Sequence, residues 1–294
     1  MKIANFTAKK LRVKRANQIS DYVEWKSIDV LSKRLRDWTK NNTGQNMTVL
    51  SNFSDFVIPS GAAIDIVLFS DGAIRLKEVR HILKKLDCRY WVLSEYSKKL
   101  LQLNSRLNSR SIRVIPRAEL FRPTNQFIKL NKSEPINIIF SGRTDEPQKN
   151  FQLVCQVVSQ IQLIMSQKIM FHICGPHLDP IQIKLATAPL KWKNKPIILG
   201  DLGTNWTKKF KIKNPILINL STFIGEDFGV SVAQAQEAGG PIIISNWGGH
   251  TDIISSRQVV KIPVRMIKNK GTHRQFKSEI LVNYIVNHLR KWFR

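Results

Sequence analysis

The 294 residues suffice for two domains of ordinary size, and a hydrophobic content of 43% supports packed cores and excludes wholesale disorder. The net charge of +26 is spread along the chain, with 26 Lys/Arg against 12 Asp/Glu in residues 1–134 and 21 against 9 in the remainder, which excludes a basic tail as its source. A generally basic surface accounts for it, and the same positive field would draw the chain toward phosphate-bearing ligands or an anionic membrane.

In chain order, Lys2–Phe6 reads as a first strand followed by a basic loop. Residues 1–20 carry Lys2, Lys9, Lys10, Arg12, Lys14 and Arg15 and no acid, which gives them a slight likeness to a transit peptide, but no secretory apolar region follows. Val49–Leu50, Ile64–Phe69, Tyr90–Leu93 and Ile112–Ile115 read as strands, and Ile74–Leu86 and Ser97–Leu103 as helices. This alternation predicts a parallel sheet covered by helices. Pro116–Pro135, with Pro116, Pro123 and Pro135, interrupts the rhythm as a linker would. The boundary falls there, giving an N-terminal domain of residues 1–125 and a C-terminal domain of 126–275.

The rhythm restarts with a strand at Ile136–Phe140, a polar loop and a helix over Asn150–Gln167. The apolar positions Phe151, Val154, Val158, Ile161 and Met165 share one face of that helix. Strands follow at Lys168–Cys174, Pro196–Leu199 and Ile216–Leu220. Val230–Ala238 reads as a short helix stopped by Gly239, Gly240 and Pro241, and Ile242–Ser245 as a buried strand. Residues 276–294 form a closing amphipathic helix, with Phe276, Ile280, Tyr284, Leu289 and Trp292 on one side.

Cys88, Cys155 and Cys174 are odd in number and widely spaced, which points to neither a disulfide framework nor a zinc site and fits a reducing, cytosolic setting. No apolar run approaches the roughly 18–20 residues of a membrane span. The tryptophans do not alternate with the basic residues as a stacking series would, and no nucleic-acid-binding motif is present. Gly142–Lys149 lacks the second glycine and the hydroxyl residue of a P-loop. His172 reads as an interior strand residue, and the Lys208, Lys209, Lys211, Lys213 run as a solvated face. The histidines offer little, and His250, after Gly248 and Gly249, reads more readily as a structural residue than as one lining the cleft.

The most informative stretch is Ser221–Gly249. Glu226 and Asp227 precede a helix whose first turn, at Phe228-Gly229-Val230, presents backbone N–H groups suited to a phosphate or a sugar oxygen. Gly229 permits close approach of a ligand to the backbone. Glu226, Phe228, Gly229, Ala235, Gly239, Pro241, Gly248 and Gly249 together resemble the signature of the retaining glycosyltransferases of family four, the group 1 glycosyltransferases. A second stretch, Phe140–Asn150, is similar to that family's Gly-Arg, variable loop and Lys, matched by Gly142, Arg143 and Lys149. The strand ending at Gly175-Pro176 and the segment Val114–Pro123 keep the same register. Residues 110–255 carry the resemblance, whereas residues 1–100 match only in rhythm and lack the family's glycine-rich loop after the first strand.

The resemblance implies an α/β fold of GT-B architecture, two Rossmann-like domains facing each other across a cleft, with the closing helix packing back on the N-terminal domain. It implies transfer of a sugar from a nucleoside-diphosphate sugar to a hydroxyl of a glycan or glycolipid acceptor, with retention at the anomeric carbon. Arg143 and Lys149 would hold the donor diphosphate and Glu226 the donor sugar, with Gly142, Phe228, Gly229 and Val230 lining the donor. The family's second acid, on the ribose, is replaced by Gln234, which offers one acceptor and one donor without charge assistance. Asp71 is the candidate on the acceptor side. No metal or other cofactor is implied. The basic surface adds peripheral contact with an anionic membrane, placing the chain at the cytoplasmic face. A catalytically degenerate nucleotide-sugar-binding protein of the same fold is the alternative, and a basic nucleic-acid-binding protein a more distant one.

Overall fold

The computed structural model describes residues 2–6, 34–35, 37–38, 41, 47–51, 64–68, 88–105, 111–124, 128–203, 206–209, 212–223, 226–254, 256–268, 272–275 and 278–293. The predicted helix Ile74–Leu86, the basic loop after Phe6, and Asp71 lie outside them. The chain divides into two compact units, one of Met1–Phe121 with Ile224–Phe228, the other of Arg122–Phe223 with Gly229–Arg294. The sequence reading assigns all of residues 126–275 to the second domain. The structure instead gives five of them to the first unit.

The first unit is built on a five-stranded parallel sheet: β1 (Lys2–Phe6), β2 (Met47–Ser51), β3 (Ile64–Leu68), β4 (Cys88–Val92) and β5 (Ile112–Val114). Its strands lie in sequence order, β1-β2-β3-β4-β5. Helix α1 (Glu95–Ser105) follows β4, and the short α2 (Arg117–Leu120) follows β5. Tyr90, Val92, Leu101, Ile112, Leu120 and Phe121 are buried in its core.

The second unit holds six parallel strands in the order β11-β10-β9-β6-β7-β8. These are β6 (Ile136–Ser141), β7 (Ile169–Cys174), β8 (Ile197–Gly200), β9 (Pro215–Asn219), β10 (Ile242–Ser245) and β11 (Val259–Ile262). Strand order reverses between β6 and β9, so the loops at their carboxyl ends diverge and leave room for a ligand. The first sheet shows no such reversal among its described strands.

Helix α3 (Phe151–Ile164) buries Phe151, Val154, Val158 and Ile161 against this sheet, with Met165 just beyond its end, the face the apolar spacing predicts. Helix α4 (Pro180–Thr187) has no counterpart in the sequence reading, although its start is explicit: Asp179 accepts from the backbone N–H groups of Ile181 and Gln182, with Pro180 in the first turn. The short α5 (Trp206–Lys209) and α6 (Val230–Glu237) flank the opposite face of the sheet, where Trp206, Val232 and Ala235 join Ile139, Leu217 and Ile244. A two-stranded antiparallel ladder pairs β12 (Arg265–Lys268) with β13 (Thr272–Gln275).

The closing helix α7 (Ser278–Trp292) departs from expectation in its buried face. It packs against α3 within the second unit's core. Its buried stripe is Leu281, Val282, Ile285, Val286 and Leu289, whereas Tyr284 is 38% exposed. Of the expected stripe, Leu289 is buried and Trp292 packs against the same core, so only Tyr284 among its described side chains turns outward, and aliphatic residues fill the groove beside α3.

Candidate functional site

Three loops at the carboxyl ends of β6, β9 and β10 carry the residues singled out in the second unit. The first leaves β6 at Ser141. Gly142 donates its N–H to the Cys174 carbonyl at 3.0 Å. It lies so close to Gly175 that a Cβ on Gly175 would come within 2.7 Å of the Gly142 backbone. Gly175 also has φ +133°, so two requirements make glycine necessary there. This contact fixes where the loop departs from the sheet.

Arg143 is exposed and pairs with Glu146 at 2.6 Å, an ion pair at the surface that a stronger anion can displace. Lys149 ends a 3-10 turn over Pro147–Lys149, and its ammonium lies 5.8 Å from the centre of the Phe223 ring. Asn150 follows in the left-handed region, φ 54°, at the position of the N-cap of α3. Its side chain caps nothing in the helix. It donates instead to the Leu220 carbonyl at 2.8 Å and to the Thr222 hydroxyl at 3.0 Å. The Thr222 N–H in turn donates to the Gln148 carbonyl at 2.9 Å. Three hydrogen bonds thus tie the loop after β6 to the loop after β9 at the point where strand order reverses, and they hold Lys149 beside Phe223.

The β10 loop completes the arrangement. Trp247 donates its indole N–H to the Phe223 carbonyl at 2.8 Å, and the Ser245 hydroxyl donates to the Ser221 carbonyl at 2.5 Å. Since that hydroxyl proton is committed, the Ser245 oxygen accepts from Nδ1 of His250, 3.2 Å away. His250 is fully buried, and its Nε2 edge faces Gly229. Gly229 is the N-cap of α6, with φ 66° and ψ 68°, and Val230 begins the helix. His250 thus packs directly beneath the glycine turn.

Gln234 lies on α6. It is buried, and its amide oxygen accepts from the Trp206 indole N–H at 3.0 Å. One lone pair of that oxygen is thus taken by a tryptophan that the motif reading does not single out. Trp206 stands 28 residues upstream, and no sequence pattern links the two.

Glu226, Asp227 and Phe228 belong to the first unit and are all buried. Arg117 of α2 donates to the Phe228 carbonyl and places its guanidinium 4.2 Å from the centre of the Phe228 ring. Phe121 packs on the same ring at 5.4 Å. The structure therefore places Gly142, Arg143, Lys149, Gly229, Val230 and Gln234 in the second unit, and Glu226 and Phe228 in the first. Among the described residues, no cluster of three or more His, Cys, Asp or Glu could hold a metal ion, and no helix is long and apolar enough to cross a membrane.

The profile of the family described as glycosyl transferases group 1 matches residues 121–272, just over half of the chain. The chain belongs to the group 1 glycosyltransferases. Solved structures agree on the fold of this glycosyltransferase. The apo form of the lipopolysaccharide outer core galactosyltransferase WaaB superposes with a TM-score of 0.60 at 15% identity, covering 89% of this chain and 71% of that one. WaaG, a glycosyltransferase involved in lipopolysaccharide biosynthesis, gives 0.60 at 10% identity over 99% of this chain and 92% of its own. A variant of S. aureus TarM in complex with Fondaparinux, alpha-GlcNAc-glycerol and UDP gives 0.58 at 14% identity, over 88% of this chain and only 52% of that one. No curated protein sequence matches the chain. The glycosyltransferase has the α/β GT-B fold, with two Rossmann-like units.

Proposed function

We propose that this glycosyltransferase transfers a sugar from a nucleoside diphosphate to a hydroxyl of a glycan or glycolipid acceptor, with retention at the anomeric carbon. The observation that carries the donor reading is the tie between the β6 and β9 loops, which holds Lys149 at the strand-order reversal of the second sheet. The bond from the anomeric carbon to the diphosphate oxygen breaks, and the acceptor oxygen bonds to that carbon on the same face. The acceptor proton passes to the leaving diphosphate. Arg143 and Lys149 stabilise the negative charge that develops there, Arg143 as a bidentate fork and Lys149 as a point charge. Two fixed cations supply this charge without a metal ion, so turnover persists in the presence of EDTA. Gly142, Gly229 and Val230 offer backbone to the donor, Phe228 adjoins the glycine turn in sequence, and Glu226 orients the sugar hydroxyls. Asp71 remains the acceptor-side candidate.

The solved structures that bind UDP, or that act in lipopolysaccharide assembly, support a nucleotide sugar as donor and a glycan or glycolipid as acceptor. The net charge of +26 supports peripheral attachment to an anionic membrane at its cytoplasmic face. A thermal-shift screen over UDP, GDP, ADP, CDP and their sugars tests the donor assignment, because a ligand that binds only the folded state raises Tm. Arg143→Ala with Lys149→Ala abolishes the shift. An equal shift in wild type and double variant would overturn the assignment.

One observation favours a second reading. Gln234, uncharged where the family carries a carboxylate and already bonded to Trp206, supports a protein that binds nucleotide sugar without turnover. Donor hydrolysis, measured as nucleoside diphosphate released, distinguishes the two.

A further inference from the structure

The residue beside Glu226 has an environment that the donor chemistry does not call for. Asp227 is 4% exposed. Its Oδ1 accepts from the hydroxyl of Ser94 at 2.6 Å and from that of Ser97 at 2.5 Å, and both serines are buried. Ser94 immediately precedes α1 and accepts from the backbone N–H of Ser97 at 3.0 Å, as an N-cap does. The carboxylate thus sits at the positive end of an eleven-residue helix and accepts two hydroxyl hydrogen bonds on one oxygen. Burial of a carboxylate is unfavourable unless such partners are present, so the position is specified by both sides. On the other flank, Phe228 is clamped through its carbonyl and its ring by Arg117 and Phe121. Glu226 is therefore followed by two residues that are each fixed to the first unit by side-chain contacts.

We propose that Asp227 is a positioning residue, which holds Glu226 in its working place by anchoring this stretch of chain to Ser94 and Ser97 at the start of α1. The inference rests on the donor-sugar reading of Glu226 and adds to it. Glu226 acts on the sugar. Asp227 does not touch it and acts by restricting where the preceding carboxylate can be. The serine pair belongs to this chain's α1, so the anchor couples the motif loop to a helix more than 120 residues earlier in sequence.

The test uses the full chain and two readouts. Hydrogen exchange at the amides of residues 226–229 reports the anchor without any ligand. Exchange accelerates in Asp227→Asn and in Ser94→Ala/Ser97→Ala, and is unchanged in Ser97→Thr, which keeps the hydroxyl, and in Glu226→Gln. Calorimetric titration with UDP, and with UDP-glucose, UDP-galactose and UDP-N-acetylglucosamine, reports the consequence as the affinity advantage of the sugar-bearing probe over UDP. Asp227→Asn and the serine double variant reduce that advantage by about tenfold, the size of one charge-assisted hydrogen bond, while Kd for UDP stays within about twofold. In the Glu226→Gln background, Asp227→Asn removes nothing further. The serine variant carries the test should Asp227→Asn fail to fold. Faster exchange with the sugar advantage intact would reduce Asp227 to a structural role and overturn the inference. An advantage that survives Glu226→Gln would refute the donor-sugar reading itself, a result the exchange data keep separate from failure of the anchor.

Discussion

Replacing Gly229 by alanine tests whether the glycine turn rests on His250. Two costs are built into the site. The backbone has φ 66°, in the region that L side chains avoid at about 1–2 kcal/mol per residue. A Cβ there would also lie 2.7 Å from Nε2 and 2.8 Å from Cδ2 of His250. That ring cannot retreat easily, being fully buried and held through Nδ1 by Ser245. Such overpacking costs about 1–3 kcal/mol, so Gly229→Ala should destabilise the second unit by about 2–5 kcal/mol in urea denaturation. Gly200 supplies the control. It has φ 73°, but a Cβ added to it would meet nothing within 4 Å, so Gly200→Ala should cost only the backbone part, about 1–2 kcal/mol. In a His250→Ala background the cost of Gly229→Ala should fall to that same value. Equal costs for Gly229→Ala with and without the imidazole would refute the reasoning.

Three further outcomes are expected. Asn150→Gly keeps access to the left-handed backbone but removes the bonds to Leu220 and Thr222, so it should cost about 1–3 kcal/mol and weaken UDP binding; an unchanged Kd would show that the loop tie is not part of the ligand site. Burial lowers the pKa of His172 below its ordinary value, so the unfolded chain binds more protons than the native one between the two values. Stability is therefore complete above the unfolded value near 6.5 and is lost as pH falls through the lower native one, and His172→Gln should flatten this acid-side slope in Tm against pH. Burial raises the thiols of Cys155 to about 12 and Cys174 to about 11, so both should resist a disulfide reagent at pH 8 until denaturant is added; rapid modification of the native protein at either would contradict their placement.

The sequence was most legible where one local rule governed the outcome. Parallel strands buried on both faces read as apolar runs, and β6, β7, β9 and β10 lie where those runs fall. The apolar spacing of α3 identifies its buried face because one sheet covers it. The sequence reading of α7 finds Leu289 and Trp292 but misses Leu281, Val282 and Ile285, because aromatic residues such as Tyr284 weigh more in the pattern than the aliphatic ones that the groove beside α3 accepts. The motif positions Arg143, Lys149 and Gly229 could be located, but the contacts that shape them could not. Asn150 bonds across 70 residues to Leu220, Trp206 across 28 to Gln234, and Ser94 across 133 to Asp227. Hydrogen bonds between hydroxyls, amides and carboxylates leave no periodic trace, so each becomes visible only once the strands set which loops meet. Asn150 is instructive: the sequence reading starts the helix at it, whereas the structure places it just before the helix and turns its side chain to the β9 loop.

The division of the chain also bears on how it is made. Phe121 and Arg117 complete their packing only with Phe228, and Ser94 and Ser97 meet their carboxylate only with Asp227. A ribosome must therefore add about a hundred more residues after Phe121 before those partners emerge, and at about 5–20 residues per second the wait is at least several seconds. During that interval the nascent first unit carries an aromatic surface and a pair of hydroxyls still lacking their native contacts. A fragment ending at Phe121 would lack those contacts permanently.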